Sequence, residues 1–177
     1  MDKYDKARKF NSGPVPKLNE IWTANVLGMH LNPNSGPDLI DENKIVEVKF
    51  TLSQNSKNYF KWSVLGYQIN YSNLSENSFW AFGFYNLEIP VQKIKTQDPE
   101  KLEKLITKRE VNIVPWNWIY QFNPQRNKGR TEKSAWDYEL VSALFNKIPK
   151  VVKSYKVEKG LINITEGVNE KLFNLSN

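Results

Sequence analysis

The 177-residue chain is 40% apolar and 25% charged, which suits one globular domain with its own core and excludes general disorder. The absence of cysteine and the single histidine, His30, exclude a disulfide scaffold, a cysteine zinc site, an iron–sulfur cluster, a thiol nucleophile and the two-histidine zinc proteases. Twenty-five Lys and Arg against 19 Asp and Glu leave a net charge of +6, compatible with a polyanionic partner such as nucleic acid, and equally with a plain bias toward Lys, Asn and Ile.

The opening MDKYDKARKF lacks the apolar stretch of a secretory signal. The longest apolar run, Phe79–Tyr85, falls far short of the roughly 20 residues that span a bilayer. A cytoplasmic protein with no membrane partner is expected. Residues 1–16 read as an N-terminal arm ending in Gly13-Pro14-Val15-Pro16, and residues 17–177 as a single domain. The core of that domain is expected over 17–122, followed by a C-terminal helical extension over 123–177.

Residues 18–30 predict a helix with Leu18, Ile21, Trp22, Val26 and Met29 on one side and Glu20 roughly opposite. Leu31–Pro37 is a loop by composition. Ile45–Phe50 is alternating and β-branched, and reads as a strand paired with Leu39–Asp41 through a turn at Glu42-Asn43. Lys57–Asn73 reads as a second helix from the spacing of Phe60, Val64, Tyr67 and Tyr71, although Gly66 weakens it. Phe79–Tyr85 is apolar on both faces and predicts a buried central strand. Asp98-Pro99 starts a helix that buries Leu102, Leu105 and Ile106. Val111–Phe122 reads as a strand interrupted at Pro115, hence an edge. Arg126–Arg130 is a basic loop, and Thr131–Lys147 reads as a helix with Trp136, Leu140 and Leu144 on one face. The last thirty residues are weakly patterned. Alternating helices and strands predict an α/β fold with a mixed sheet flanked by helices.

Chemistry concentrates in the hairpin. With a two-residue turn, paired positions sum to 85 (85 = 41 + 44), so Asp38 lies opposite Glu47, while Glu47 and Lys49 share a strand face. Val46, Val48 and Phe50 point to the core. Two carboxylates held this close repel unless a cation sits between them, and a hard divalent ion such as Mg²⁺ is the natural occupant. A neighbouring ammonium can bind a phosphate oxygen or orient a water. A solvated face with a cross-strand Glu–Lys pair is the plain alternative.

Pro37-Asp38, eight intervening residues, then Glu47-Val48-Lys49 resembles the signature of the PD-(D/E)xK, or restriction-endonuclease-like, nuclease superfamily. The surrounding order of helix with Glu, hairpin, helix and buried strand is similar to that family's core over residues 17–86. The resemblance implies a Mg²⁺-dependent DNA endonuclease, with Mn²⁺ able to substitute. Asp38, Glu47 and the Val48 carbonyl would be metal ligands, and Lys49 would orient or help deprotonate the water. Glu20 would support the metal or its water; an ordinary first-turn acid is the equal alternative. Gln68 matches a family glutamine on the helix after the Lys, but the Tyr expected four residues later is replaced by Ser72, a departure from the RecB-like branch. Lys61 would share a helix face with Gln68 and meet a phosphate, or simply be solvated.

For DNA contacts, Gln125, Arg126, Asn127, Lys128 and Arg130 form the densest basic segment, able to reach bases and phosphates, or to serve as a solvated connector. Trp116 and Trp118 are read as packing residues before stacking platforms. His30 is not expected to be catalytic. The DNA partner would be duplex, as for restriction or homing enzymes, or branched, as for a Holliday-junction resolvase. A homodimer would match duplex symmetry. A catalytically inactive nucleic-acid-binding module of the same fold is the further alternative.

Overall fold

The computed structural model describes residues 13–52, 61–65, 74, 77–121, 125–126, 136–141, 153–158 and 161–166. They form an α/β fold with a mixed sheet. Helix α1 spans Pro14–Leu27 and is followed by strands β1 (His30–Leu31), β2 (Leu39–Asp41) and β3 (Lys44–Leu52). Then come β4 (Lys61–Leu65), β5 (Ser78–Leu87), helix α2 (Pro99–Leu105) and β6 (Ile106–Pro115). A short 3₁₀ helix over Trp116–Gln121 leads to β7 (Gln125–Arg126), β8 (Trp136–Val141), β9 (Lys153–Glu158) and β10 (Leu161–Glu166).

Seven strands build the main sheet in the order β1-β2-β3-β5-β6-β9-β10, and β4-β8-β7 form a smaller one. In the main sheet β3 and β5 run parallel and the other neighbours antiparallel. No described helix is long and apolar enough to cross a membrane.

Pro14 opens α1 where an arm was expected through residue 16, because proline lacks only an amide that a first turn leaves unpaired. Gly28 closes it at φ 66°, donating to the carbonyls of Ala24 and Asn25. The buried side is Val15, Asn19, Thr23 and Ala24, and Ile21 of the expected stripe is 39% exposed. The stripe rotates because its polar members are satisfied: Asn19 Oδ1 accepts from Arg109 Nε at 2.9 Å, and Thr23 Oγ1 donates to the Asn19 carbonyl at 2.7 Å.

The hairpin register is the expected one: Asp41 pairs with Lys44, Ile40 with Ile45 and Leu39 with Val46. Val46 and Val48 join Leu39, Phe79, Ala81, Val111, Ile113 and Ala24 in the core beneath α1. Strand β5 lies at the centre and is buried on both faces. Gly83 is required there, since a Cβ would stand 2.6 Å from Phe50 Cε1 and 2.8 Å from the Glu110 carbonyl oxygen. Asp98 caps α2 as expected, its Oδ1 accepting from the Glu100 amide at 3.0 Å.

Four expectations are corrected. Lys61–Leu65, expected within a helix, is strand β4, and Trp136–Val141, also expected as helix, is β8, its partner. Residues four apart share a face in a strand as well as in a helix, so Phe60/Val64 and Trp136/Leu140 fit both periods. Strand pairing decided between them. Strand β6 is no edge: it lies between β5 and β9 and tolerates Pro115 as its last residue. The C-terminal extension is not helical over its described residues, because β9 and β10 complete the main sheet.

Candidate active site

The site sits where β2 begins beside the middle of β3. Leu39 opposite Val46 is the last paired position, so the register carries Asp38 to the level of Glu47. The Asp38 carboxylate turns along β3, and its Oδ2 accepts from the Val48 amide at 2.8 Å. Glu47, 2% exposed, receives the Lys49 ammonium on its Oε1 at 2.5 Å. Lys49 keeps one-fifth of its side chain in solvent. Glu47 and Lys49 thus meet directly, and Asp38 lies near enough to feel the charge of each.

The Ile45 amide donates toward the β5 side, to the Asn77 carbonyl. Backbone direction alternates along a strand, so the Val48 amide and carbonyl both point the other way, past the end of β2. Val48 thus offers a carbonyl oxygen toward the edge that Asp38 occupies.

Burial, first, and the Glu47 charge, second, push the Asp38 carboxyl up to about 7, against the pull of Lys49 and the Val48 amide. The Glu20 charge adds a smaller upward push, so Glu20 is close enough to be felt from α1. Its own carboxylate pairs with Lys17 at 2.9 Å.

The carboxylates of buried Glu47 and half-buried Asp38 are hard oxygen ligands of the kind a divalent cation takes. Among the described residues no group of three His, Asp or Glu side chains gathers to hold a metal. A cation here would have only Asp38, Glu47 and backbone oxygen among the described residues.

The wall behind Glu47 is aromatic. Glu47 lies level with Trp80 on β5, and Trp80 stacks on Trp116 at 4.0 Å and lies next to Phe82. Trp116 and Trp118 are buried, as packing residues should be. His30 lies exposed on β1, opposite Ile40.

The outer residues are less gathered. Lys61 is on β4, opposite Val141, so the helix face it was to share with Gln68 does not exist at its end. Gln68, Asn127, Lys128 and Arg130 lie outside the described residues. Gln125 and Arg126, expected in a loop, form β7, opposite Asp137 and Trp136; a two-residue strand leaves no periodic signal in sequence.

Sequence reasoning missed Asn32. Its backbone amide donates to the Asp38 carbonyl at 2.9 Å and its side-chain Nδ2 to the Pro37 carbonyl at 2.8 Å. The turn-rich composition of residues 31–37 was the available signal, since asparagine closes such loops with its side chain. No protein-family model, curated protein or solved structure matches this chain.

Proposed function

We propose that the protein is a Mg²⁺-dependent DNA endonuclease of restriction or homing type, built on a restriction-endonuclease-like core. The observation that carries this reading is buried Glu47 paired with Lys49, beside half-buried Asp38 bound to the Val48 amide, on a hairpin whose main strand runs parallel to a central buried strand. Parallel pairing of β3 with β5 requires a crossover connection, as the family core does.

Asp38, Glu47 and the Val48 carbonyl hold the cation. When bound, the cation supplies Lewis acidity to the scissile phosphate and lowers the pKa of a water. Lys49, partly solvent-exposed, holds a phosphate oxygen or orients the attacking water. Glu20 supports that water from α1. The aromatic wall of Trp80 and Trp116 keeps bulk water off the buried side of Glu47, which strengthens each charge interaction. Lys61 and the segment from Gln125 to Arg130 supply phosphate and base contacts, and a homodimer presents two such sites to the two strands of a duplex.

The test is incubation with Mg²⁺ or Mn²⁺ and either plasmid or four-way-junction DNA, alongside Asp38→Ala and Lys49→Ala. Metal-dependent cleavage lost in both variants is expected. Cleavage of the junction alone makes the enzyme structure-specific, a resolvase. DNA binding without cation affinity, measured by calorimetry, makes the chain an inactive binding module. Cleavage that survives both substitutions ends the assignment.

A further inference from the structure

The Asp38 carboxylate can accept from Val48 only if the chain enters β2 at a fixed height and angle. Proline at 37 restricts residue 36 and removes one amide from the approach. Gly36 adopts φ 127°, in the region glycine favours. The loop is closed by Asn32, which binds both carbonyls that flank the Asp38 amide linkage: the Pro37 carbonyl through Nδ2 and the Asp38 carbonyl through its own amide. Its Oδ1 is also occupied, accepting from the Asn34 amide at 3.0 Å. The half-buried Asn32 side chain thus adds a tie at Pro37 to the backbone tie at Asp38, closing the loop that delivers Asp38 to the site.

We propose that Asn32 is a positioning residue for Asp38, fixing the carboxylate against the Val48 amide so that it faces Glu47. The inference rests on the nuclease reading for its functional meaning, but its structural content is independent of that reading. The Val48 amide points past the end of β2, so its protection from solvent exchange depends on the Asp38 carboxylate.

The experiment compares wild type with Asn32→Ala, Asn32→Asp and Asn34→Ala in the full chain. Asn32→Asp keeps the acceptor for the Asn34 amide, replaces the donor to the Pro37 carbonyl with an oxygen and adds a negative charge, so it is read by Val48 exchange alone. Asn34→Ala perturbs the same loop and leaves the Asn34 amide in place. Two readouts are taken: amide hydrogen exchange at Val48 without metal, and Mn²⁺ affinity with cleavage kinetics.

Both Asn32 variants should exchange the Val48 amide at least about tenfold faster than wild type, with neighbouring β3 amides such as Ile45 unchanged. Asn32→Ala should also bind Mn²⁺ about tenfold more weakly and lose kcat with KM for DNA held within about twofold. Asn34→Ala should match wild type in every readout. Unchanged Val48 exchange in both folded Asn32 variants overturns the proposal. Faster exchange in a protein whose wild type neither binds Mn²⁺ nor cuts DNA supports the positioning role and refutes the nuclease reading.

Discussion

The main sheet buries charge on both faces, and the two clusters are built on opposite plans. On the helix side, Arg109 of β6 is 5% exposed and fully engaged. Its two terminal nitrogens grip Glu103 of α2 at 2.5 and 2.6 Å, its Nε reaches Asn19 of α1, and its guanidinium lies 5.6 Å from the Trp22 ring. One cation, one carboxylate, an amide and an aromatic face leave it matched in charge and hydrogen bonds. On the other face, Glu47 pairs with Lys49 beside half-buried Asp38, which is driven up to about 7. The first cluster knits α1, α2 and β6 together. In the second, burial and the neighbouring Glu47 charge oppose ionisation of Asp38, a kind of perturbation that gathers at functional sites.

The comparison breaks most visibly at Asp38. Asp38→Asn should reduce kcat about a thousandfold, roughly 4 kcal/mol of transition-state stabilisation. It should also raise the stability of the cation-free protein above pH 7, by about 1 kcal/mol, because a carboxylate disfavoured by burial and by the Glu47 charge is gone. Urea denaturation without metal, paired with single-turnover cleavage, checks both. A variant that loses stability would place Asp38 with Arg109 as a structural residue.

Arg109→Ala should do the reverse. It leaves Asn19 Oδ1 without its donor, removes the packing under Trp22 and releases α2, at a cost of about 3 kcal/mol. The urea midpoint should fall with an unchanged slope. A loss under about 1 kcal/mol would mean that the Glu103 pair, half-exposed on its acidic side, adds little to the fold.

The two clusters also differ in how far sequence revealed them. The site hairpin was legible because every link in it is short-range: a two-residue turn fixes the register, and the register fixes which of Asp38, Glu47 and Lys49 share a face. Buried β5 and the Asp98 cap were legible for the same local reasons. Arg109 was not, since its partner Asn19 lies 90 residues away and nothing in a charged TKRE run shows that its third member turns inward. Strands β4 and β8 escaped because a spacing of four serves both helix and strand, and only their mutual pairing chose between the two. Asn32 looked like one more turn former.

A pH series sharpens the comparison further. Asp38 titrates near 3.8 in the unfolded chain and is held up to about 7 in the folded one. Between those values the folded state keeps a proton that the unfolded state has released, so stability should fall as pH rises from about 4 to about 7 and level off above it. The difference between wild type and Asp38→Asn isolates this contribution. Added Mg²⁺ should restore stability, and more so above pH 7, because a cation requires the ionised carboxylate. A wild-type curve parallel to that of the variant would show that Asp38 is not the strained group.

The smallest expected effect is at Glu20, where the two plans meet. This residue follows Asn19, which Arg109 anchors, yet its charge reaches Asp38 on the other side. Its pair with Lys17 is largely solvent-facing on the lysine side, and such pairs contribute about 0–1 kcal/mol. Glu20→Gln should therefore leave the urea midpoint almost unchanged. If Glu20 holds the attacking water, kcat at saturating Mg²⁺ should still fall about tenfold, or roughly 1.4 kcal/mol, with KM for DNA unaltered. A kcat equal to wild type would reduce Glu20 to a helix surface charge and confine the chemistry to the hairpin, since no other described acid on α1 stands between the Arg109 anchor and Asp38.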